Sequence, residues 1–198
     1  MLLSPQQQGV LLDAARDTIR ETLGGEPPTQ DSTGPSDPGD AVLSQPAGCF
    51  VSLHRLHTHE LRGCVGRLDA VDPLLHAVRR AAGGVLNDPR FHNHPVRLDE
   101  LRRLEIEISV LSPLVPAAGP LEFDLRGDGI YLTWGERAGC FLPQVARETG
   151  WDKTQLLARL CVEKMGLPPD AWQDPRAKLF RFTTAVVGPE PFEVVRFA

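Results

Sequence analysis

The chain has 198 residues, 41% of them apolar, with 18 Gly, 18 Pro and four Cys; this is enough for one domain with a real core and excludes wholesale disorder. Net charge is −5, but Gly24–Asp40 holds four acidic residues (Glu26, Asp31, Asp37, Asp40) and no Lys or Arg, and the remainder sets 22 acidic against 21 basic residues, which gives no support to nucleic-acid binding. There is no apolar run of membrane-spanning length and no signal-peptide pattern, and four Cys without a CxxC fit reduced thiols in a cytoplasmic protein.

Ser4-Pro5-Gln6-Gln7 opens a helix, with Ser4 as cap, Pro5 at the first helical position and Gln7 closing a capping box. Leu11, Ala15, Ile19 and Leu23 give it one apolar stripe, and Gly24-Gly25 ends it. Residues 25–40 (GEPPTQDSTGPSDPGD) contain no large apolar side chain, so they read as a flexible Pro/Gly/Asp-rich loop within a single domain over 1–198. Gly48–Arg55 and Glu60–Leu68 read as neighbouring strands across a short polar turn. Asp72-Pro73 starts a helix to about Leu86, with Leu74, Leu75, Val78, Ala82 and Val85 on one face. Asn87–Pro95 is a loop.

Leu104–Leu111 alternates, with Leu104, Ile106, Ile108 and Val110 facing one way and Glu105, Glu107 and Ser109 the other. Leu121–Leu125 and Gly129–Trp134 flank Arg126-Gly127-Asp128 as a predicted hairpin, its RGD read as a turn rather than an adhesion motif. Ala138–Leu142 is a strand and Pro143 opens a helix to Thr149. Asp152 caps the next helix, with Leu156, Leu157, Leu160, Cys161 and Met165 inside and Gly166 at its end. Pro168–Trp172 is a helical turn, Lys178–Val187 one long strand, and Glu193–Phe197 a candidate further strand. Strands broken by helices, with several hairpin signals, predict an α+β fold with a mainly antiparallel sheet.

Chemistry concentrates in Leu61-Arg62-Gly63-Cys64-Val65-Gly66. Counted as a strand, Glu60, Arg62, Cys64 and Gly66 share one face. That face carries a cation, a thiol and a gap at Gly66. Two Gly in a strand mark a bulge, or close approach by a ligand or another backbone. Arg62, roughly 6–7 Å from Cys64 along the strand, would lower the thiol pKa from its ordinary value. Glu60 on the same face would offset this, and burial would raise the value. Cys64 is therefore a candidate nucleophile, set against a small buried side chain beside a Gly bulge.

RGCVG, then Asn87-Asp88-Pro89-Arg90-Phe91, LEIEISVL, Phe141-Leu142-Pro143-Gln144-Val145 and Trp151, in this order, closely resemble the AMMECR domain family, whose prokaryotic members are called AmmeMemoRadiSam system protein A. The resemblance covers about residues 3–23 and 42–187. It implies an α+β fold with an antiparallel sheet flanked by helices and two unequal subdomains. Arg62, Gly63, Cys64 and Gly66 match the family signature, and Asp88, Pro89, Arg90 and Phe91 its second motif. Where the family commonly continues Pro-Pro-Leu, this chain has His92-Asn93-His94-Pro95. The family name implies partners: a Memo-like protein and a radical S-adenosylmethionine protein. The family's activity is unsettled.

His54, His57, His59, His92 and His94 read as solvated turn histidines, and no metal or other cofactor is expected. Glu105 and Glu107, if their face meets Arg62, would pair with it and orient a ligand or serve as base. Asp88 and Arg90 would pair with each other or with the preceding helix end. Phe91, Trp151 and Trp172 read as core anchors. Neither a Gly-x-Ser-x-Gly elbow nor a phosphate-binding Gly loop occurs. Two functions follow. The first is an enzyme or enzyme subunit with Cys64 as catalytic thiol and Arg62, Gly63, Gly66, Glu105, Glu107, Asp88 and Arg90 around its substrate. The second is a non-catalytic module whose groove receives a small molecule, a peptide or a protein partner. Neither involves a nucleic acid or a membrane.

Overall fold

In the computed structural model, residues 2–24 and 40–193 are described. The first helix, α1 (Pro5–Thr22), starts as its sequence dictates: Gln7 N–H donates to the Ser4 hydroxyl and the Gln7 side chain accepts from Ser4 N–H. Leu11, Ala15 and Ile19 are fully buried. Gly9 lies in the interior of this helix with nothing within 4 Å of where a Cβ would sit. Gly9→Ala is therefore expected to stabilise the protein by roughly 0.5–1 kcal/mol, read as a higher urea midpoint. The loop expected over 25–40 lies outside the described residues except for Asp40, whose carboxylate accepts from Val42 and Leu43 N–H and from the Gln7 amide.

The chain then forms β1 (Cys49–Arg55), β2 (Leu61–Arg67), α2 (Leu74–Val85), β3 (Leu104–Leu111), β4 (Val115–Pro116), β5 (Gly129–Trp134), β6 (Arg137–Phe141), α3 (Pro143–Thr149), α4 (Lys153–Arg159), β7 (Lys178–Phe182) and β8 (Thr184–Pro191). It divides into two compact units, Met1–Leu111 with Ala185–Ala198, and Ser112–Thr184. Each has its own antiparallel sheet: β2-β1-β3-β8 in the first unit, β4-β7-β5-β6 in the second. The α+β class holds, with two sheets in place of one. Among the described residues no helix is long and apolar enough to cross a membrane.

In the first unit α2 packs on β1 and β2, and α1 packs on α2. Val51 and Leu53 from β1 and the predicted Leu104, Ile106, Ile108 and Val110 from β3 fill the core against Val78, Ala82 and Val85. The opposite face of β3 is less solvated than its polarity suggests: Glu105 and Ser109 are buried and Glu107 is half-buried. Helix α2 begins at Leu74 without a side-chain cap. Asp72 is held by Arg80 instead.

The second unit has a separate core around Ile130, Leu132, Phe141, Leu157, Leu160 and Trp172. Asp152 caps α4 in a capping box with Gln155, as its sequence predicts. A π turn over Leu160–Lys164 continues the helix. The bare α-carbon of Gly139 in β6 lies against it; a Cβ there would sit 2.7 Å from Lys164 Cβ. Two expected strands differ from their sequence reading. Leu121–Leu125 is irregular and the hairpin is β5–β6, because the Asp128 carboxylate is buried and closes the RGD turn on Asp124 N–H. Lys178–Val187 is two strands in different sheets, parted at Thr183. The strand expected over 193–197 falls, beyond Glu193, outside the described residues.

Candidate functional site

The β1–β2 hairpin turns through Leu56–Glu60, where His57 and His59 take left-handed backbone conformations (φ 76° and 56°). Pairing then runs Leu53 to Gly63 and His54 to Leu61, so Arg62 is an extra residue on β2 and forms a bulge. The bulge interrupts the alternation on which a shared Arg62–Cys64 face rests, and the two side chains take different partners.

Arg62 is buried. Its Nε donates to Glu100 Oε1 (2.8 Å), and its Nη2 donates to Glu100 Oε2 (3.1 Å) and to the His94 carbonyl (2.6 Å). The expected partners, Glu105 and Glu107, are not the ones it takes. Glu105 Oε1 lies 2.5 Å from His59 Nδ1. Glu107 stands opposite Ser52, which stands opposite Cys64, in one row across three strands.

The two glycines serve close backbone approach. A Cβ on Gly63 would lie 2.9 Å from the Val85 carbonyl at the end of α2, and one on Gly66 would lie 2.1 Å from the Cys49 carbonyl and 2.5 Å from Phe50 Cα. The gap expected at Gly66 is thus filled by β1.

Cys64 is half-buried on the outermost strand of its sheet. Its N–H donates to Asp88 Oδ2 (2.9 Å) and its carbonyl accepts from Arg90 Nη2 (3.3 Å). A carboxylate and a guanidinium thus take the place of a neighbouring strand. Asp88 is positioned because it caps the 3-10 turn Pro89–Phe91, accepting from Arg90 N–H (3.0 Å), Arg90 Nε (3.0 Å) and Arg90 Nη2 (2.6 Å). The pairing expected of Asp88 and Arg90 is therefore present, and it ties the NDPRF segment to the RGCVG strand. Phe91 is half-buried rather than a core anchor, with the guanidinium carbons of Arg62 and Arg90 each 5.8 Å from its ring centroid.

Burial pushes the Cys64 thiol up from its ordinary value. The Ser52 hydrogen bond and the Arg90 charge pull the other way, while Asp88 and Glu107 add to the rise. The sequence names Arg62 as the cation beside this thiol; the structure places Arg90 there and commits Arg62 to Glu100. For Asp88, burial works to raise the carboxyl, but the Arg90 side chain and the N–H groups of Cys64 and Arg90 outweigh it and hold it at about 2.

A folded-state pKa of about 2 against an ordinary 3.8 contributes stability that is present above pH 4 and lost as pH falls through 2, about 2 kcal/mol in all. Asp88→Asn is expected to be less stable than the parent at pH 7. The difference in urea midpoint between the two should shrink between pH 4 and pH 2. A difference that stays constant over that range would refute this assignment.

Glu100, Ser52 and the His94 carbonyl belong to the site and are not marked by the sequence. Glu100 lies 38 residues from Arg62, in a charged stretch with no spacing signal. Among the described residues no group of three or more His, Cys, Asp or Glu is placed to hold a metal ion.

Residues 12–187 match the profile of the AMMECR1 family. Protein MJ0810 of Methanocaldococcus jannaschii is 38% identical over 152 residues, 73% of this chain and 74% of that one. A protein of Methanothermobacter thermautotrophicus is 37% identical over 191 residues, 93% and 95% of the two chains. The crystal structure of the uncharacterized protein PH0010 from Pyrococcus horikoshii superposes with a TM-score of 0.79 at 34% identity, covering 93% of this chain and 92% of that one.

Proposed function

The chain belongs to the AMMECR1 family, and from that premise and the geometry around β2 we propose that it is a binding module without thiol chemistry of its own, receiving a protein partner on Arg90, Phe91 and the exposed side of Cys64. One observation carries this reading: both polar groups of the signature are already engaged within the chain. Arg62 is buried on Glu100, and burial raises the Cys64 thiol away from the ionised form a nucleophile needs. Arg62, Gly63, Gly66 and Asp88 then hold the strand, while Arg90, paired with Asp88 along one edge and with its side chain 51% exposed, offers the remaining edge and face of its guanidinium to a partner. Glu105 and Glu107 set the charge of the neighbouring sheet face. The Memo-like and radical S-adenosylmethionine proteins that the family resemblance implies are the partners of choice, in the cytoplasm.

The rival reading, a thiol enzyme, differs in what it requires of Cys64. Iodoacetamide alkylation followed across pH, with Cys64→Ser to assign the signal, is expected to show Cys64 reacting more slowly at pH 7 than free cysteine. Its rate should rise only at a pH above that of a free thiol. Rapid alkylation at neutrality would favour the enzyme. Binding to a purified Memo-like or radical enzyme partner is expected to survive Cys64→Ser and to be lost in Arg90→Ala. Equal recovery with Arg90→Ala would overturn the proposed surface.

A further inference from the structure

The second unit carries a cleft of about 470 Å³ that has no part in the β2 site. Its size falls within the roughly 300–1,000 Å³ of small-ligand pockets. Pro116, Pro120 and Pro175 line it. Their fixed φ angles pre-form these walls. Leu132, Trp172 and Leu179, all buried, line it from the core side of the sheet, so it offers aromatic and aliphatic surface to a flat apolar body.

The charge balance selects the ligand's other end. Asp174 lines the cleft, but its carboxylate accepts from Arg176 N–H (2.8 Å), Nε (3.0 Å) and Nη2 (2.7 Å), so its charge is offset. Lys178 also lines the cleft, is exposed, and has no ion-pair partner among the described residues. The cleft thus presents one uncompensated cation. A β-strand is a poor occupant, because the edge strand β4 spans only Val115–Pro116 and Pro116 has no N–H to give.

We propose that this cleft binds a small aromatic carboxylic acid, its ring against Trp172 and its carboxylate on the Lys178 ammonium. The site is independent of the partner surface at Arg90 and stands or falls separately from it. Indole-3-carboxylate, titrated into the ¹⁵N-labelled full chain, is the probe. Saturable amide shifts are expected at residues 117–119, 132, 172–174 and 176–180. Lys178→Gln is expected to weaken binding roughly fivefold, the upper worth of one ion pair at the surface, and the neutral indole-3-carboxamide should bind the parent as weakly. Ala118→Trp, at an exposed position lining the cleft, should abolish the shifts while leaving the rest of the spectrum in place. Absence of saturable shifts at millimolar probe, shifts centred elsewhere, or equal affinity in Lys178→Gln and parent would each overturn the assignment.

Discussion

Arg62→Ala is expected to destabilise the first unit by about 3–5 kcal/mol, the loss typical of a buried ion pair deprived of one partner. Three donor contacts disappear together, two to Glu100 and one to the His94 carbonyl. Among the described residues Glu100 keeps only the Arg55 ion pair, whose Nη1 is 3.7 Å away, and the alanine leaves a void beside the Phe91 ring. Arg62→Lys should recover part of the loss, because an ammonium keeps the charge but cannot match the two-pronged contact. Arg62→Met with Glu100→Gln should recover more than either single change, since it leaves no charge stranded. Urea denaturation with an unchanged slope is the measurement. A loss below about 1 kcal/mol for Arg62→Ala, the range of surface pairs, would mean that the pair does not organise the bulge.

Gly66→Ala is expected to be of similar size, at least about 3 kcal/mol, for a different reason. The added methyl would lie 2.1 Å from the Cys49 carbonyl and 2.5 Å from Phe50 Cα. Both are backbone atoms of the paired strand, so no side-chain rotation relieves the clash and β1 must separate from β2. For a chain of this size the change lowers Tm by roughly 6–12 °C. Gly9→Ala is the matched control, since the same substitution in open space should act in the opposite direction. Should Gly66→Ala melt with the parent, the close approach of the two strands is wrong.

Much of the fold is legible in the sequence where local chemistry and burial agree. The capping box at Ser4, the cap at Asp152 and the alternation of Leu104–Leu111 each name an element that forms within its stated bounds or close to them. The failures have physical causes. Leu121–Leu125 has the composition of a strand, but Asp128 spends its carboxylate on the turn and no partner strand meets it. Lys178–Val187 is a strand-like run with no Gly or Pro to break it, and only the topology sends its halves to different sheets. In the site, the residues of RGCVG and NDPRF are visible as motifs, and the Asp88–Arg90 pair is one of the two pairings that the sequence leaves open. The bulge at Arg62 is what counting by twos misses. One inserted residue moves the cation from the thiol to Glu100 and turns a supposed reactive pair into a structural tether.

The division of the chain has a consequence for its synthesis. The first unit's sheet needs β8, which is encoded after the whole of the second unit. On the ribosome the inserted unit, contiguous from Ser112 to Thr184, can therefore fold as soon as it emerges, while β3 waits with one edge unpaired for a strand translated later. Truncation shortly before Ala185 should leave a nascent chain whose second half is ordered and whose first half is exposed to chaperones and proteases.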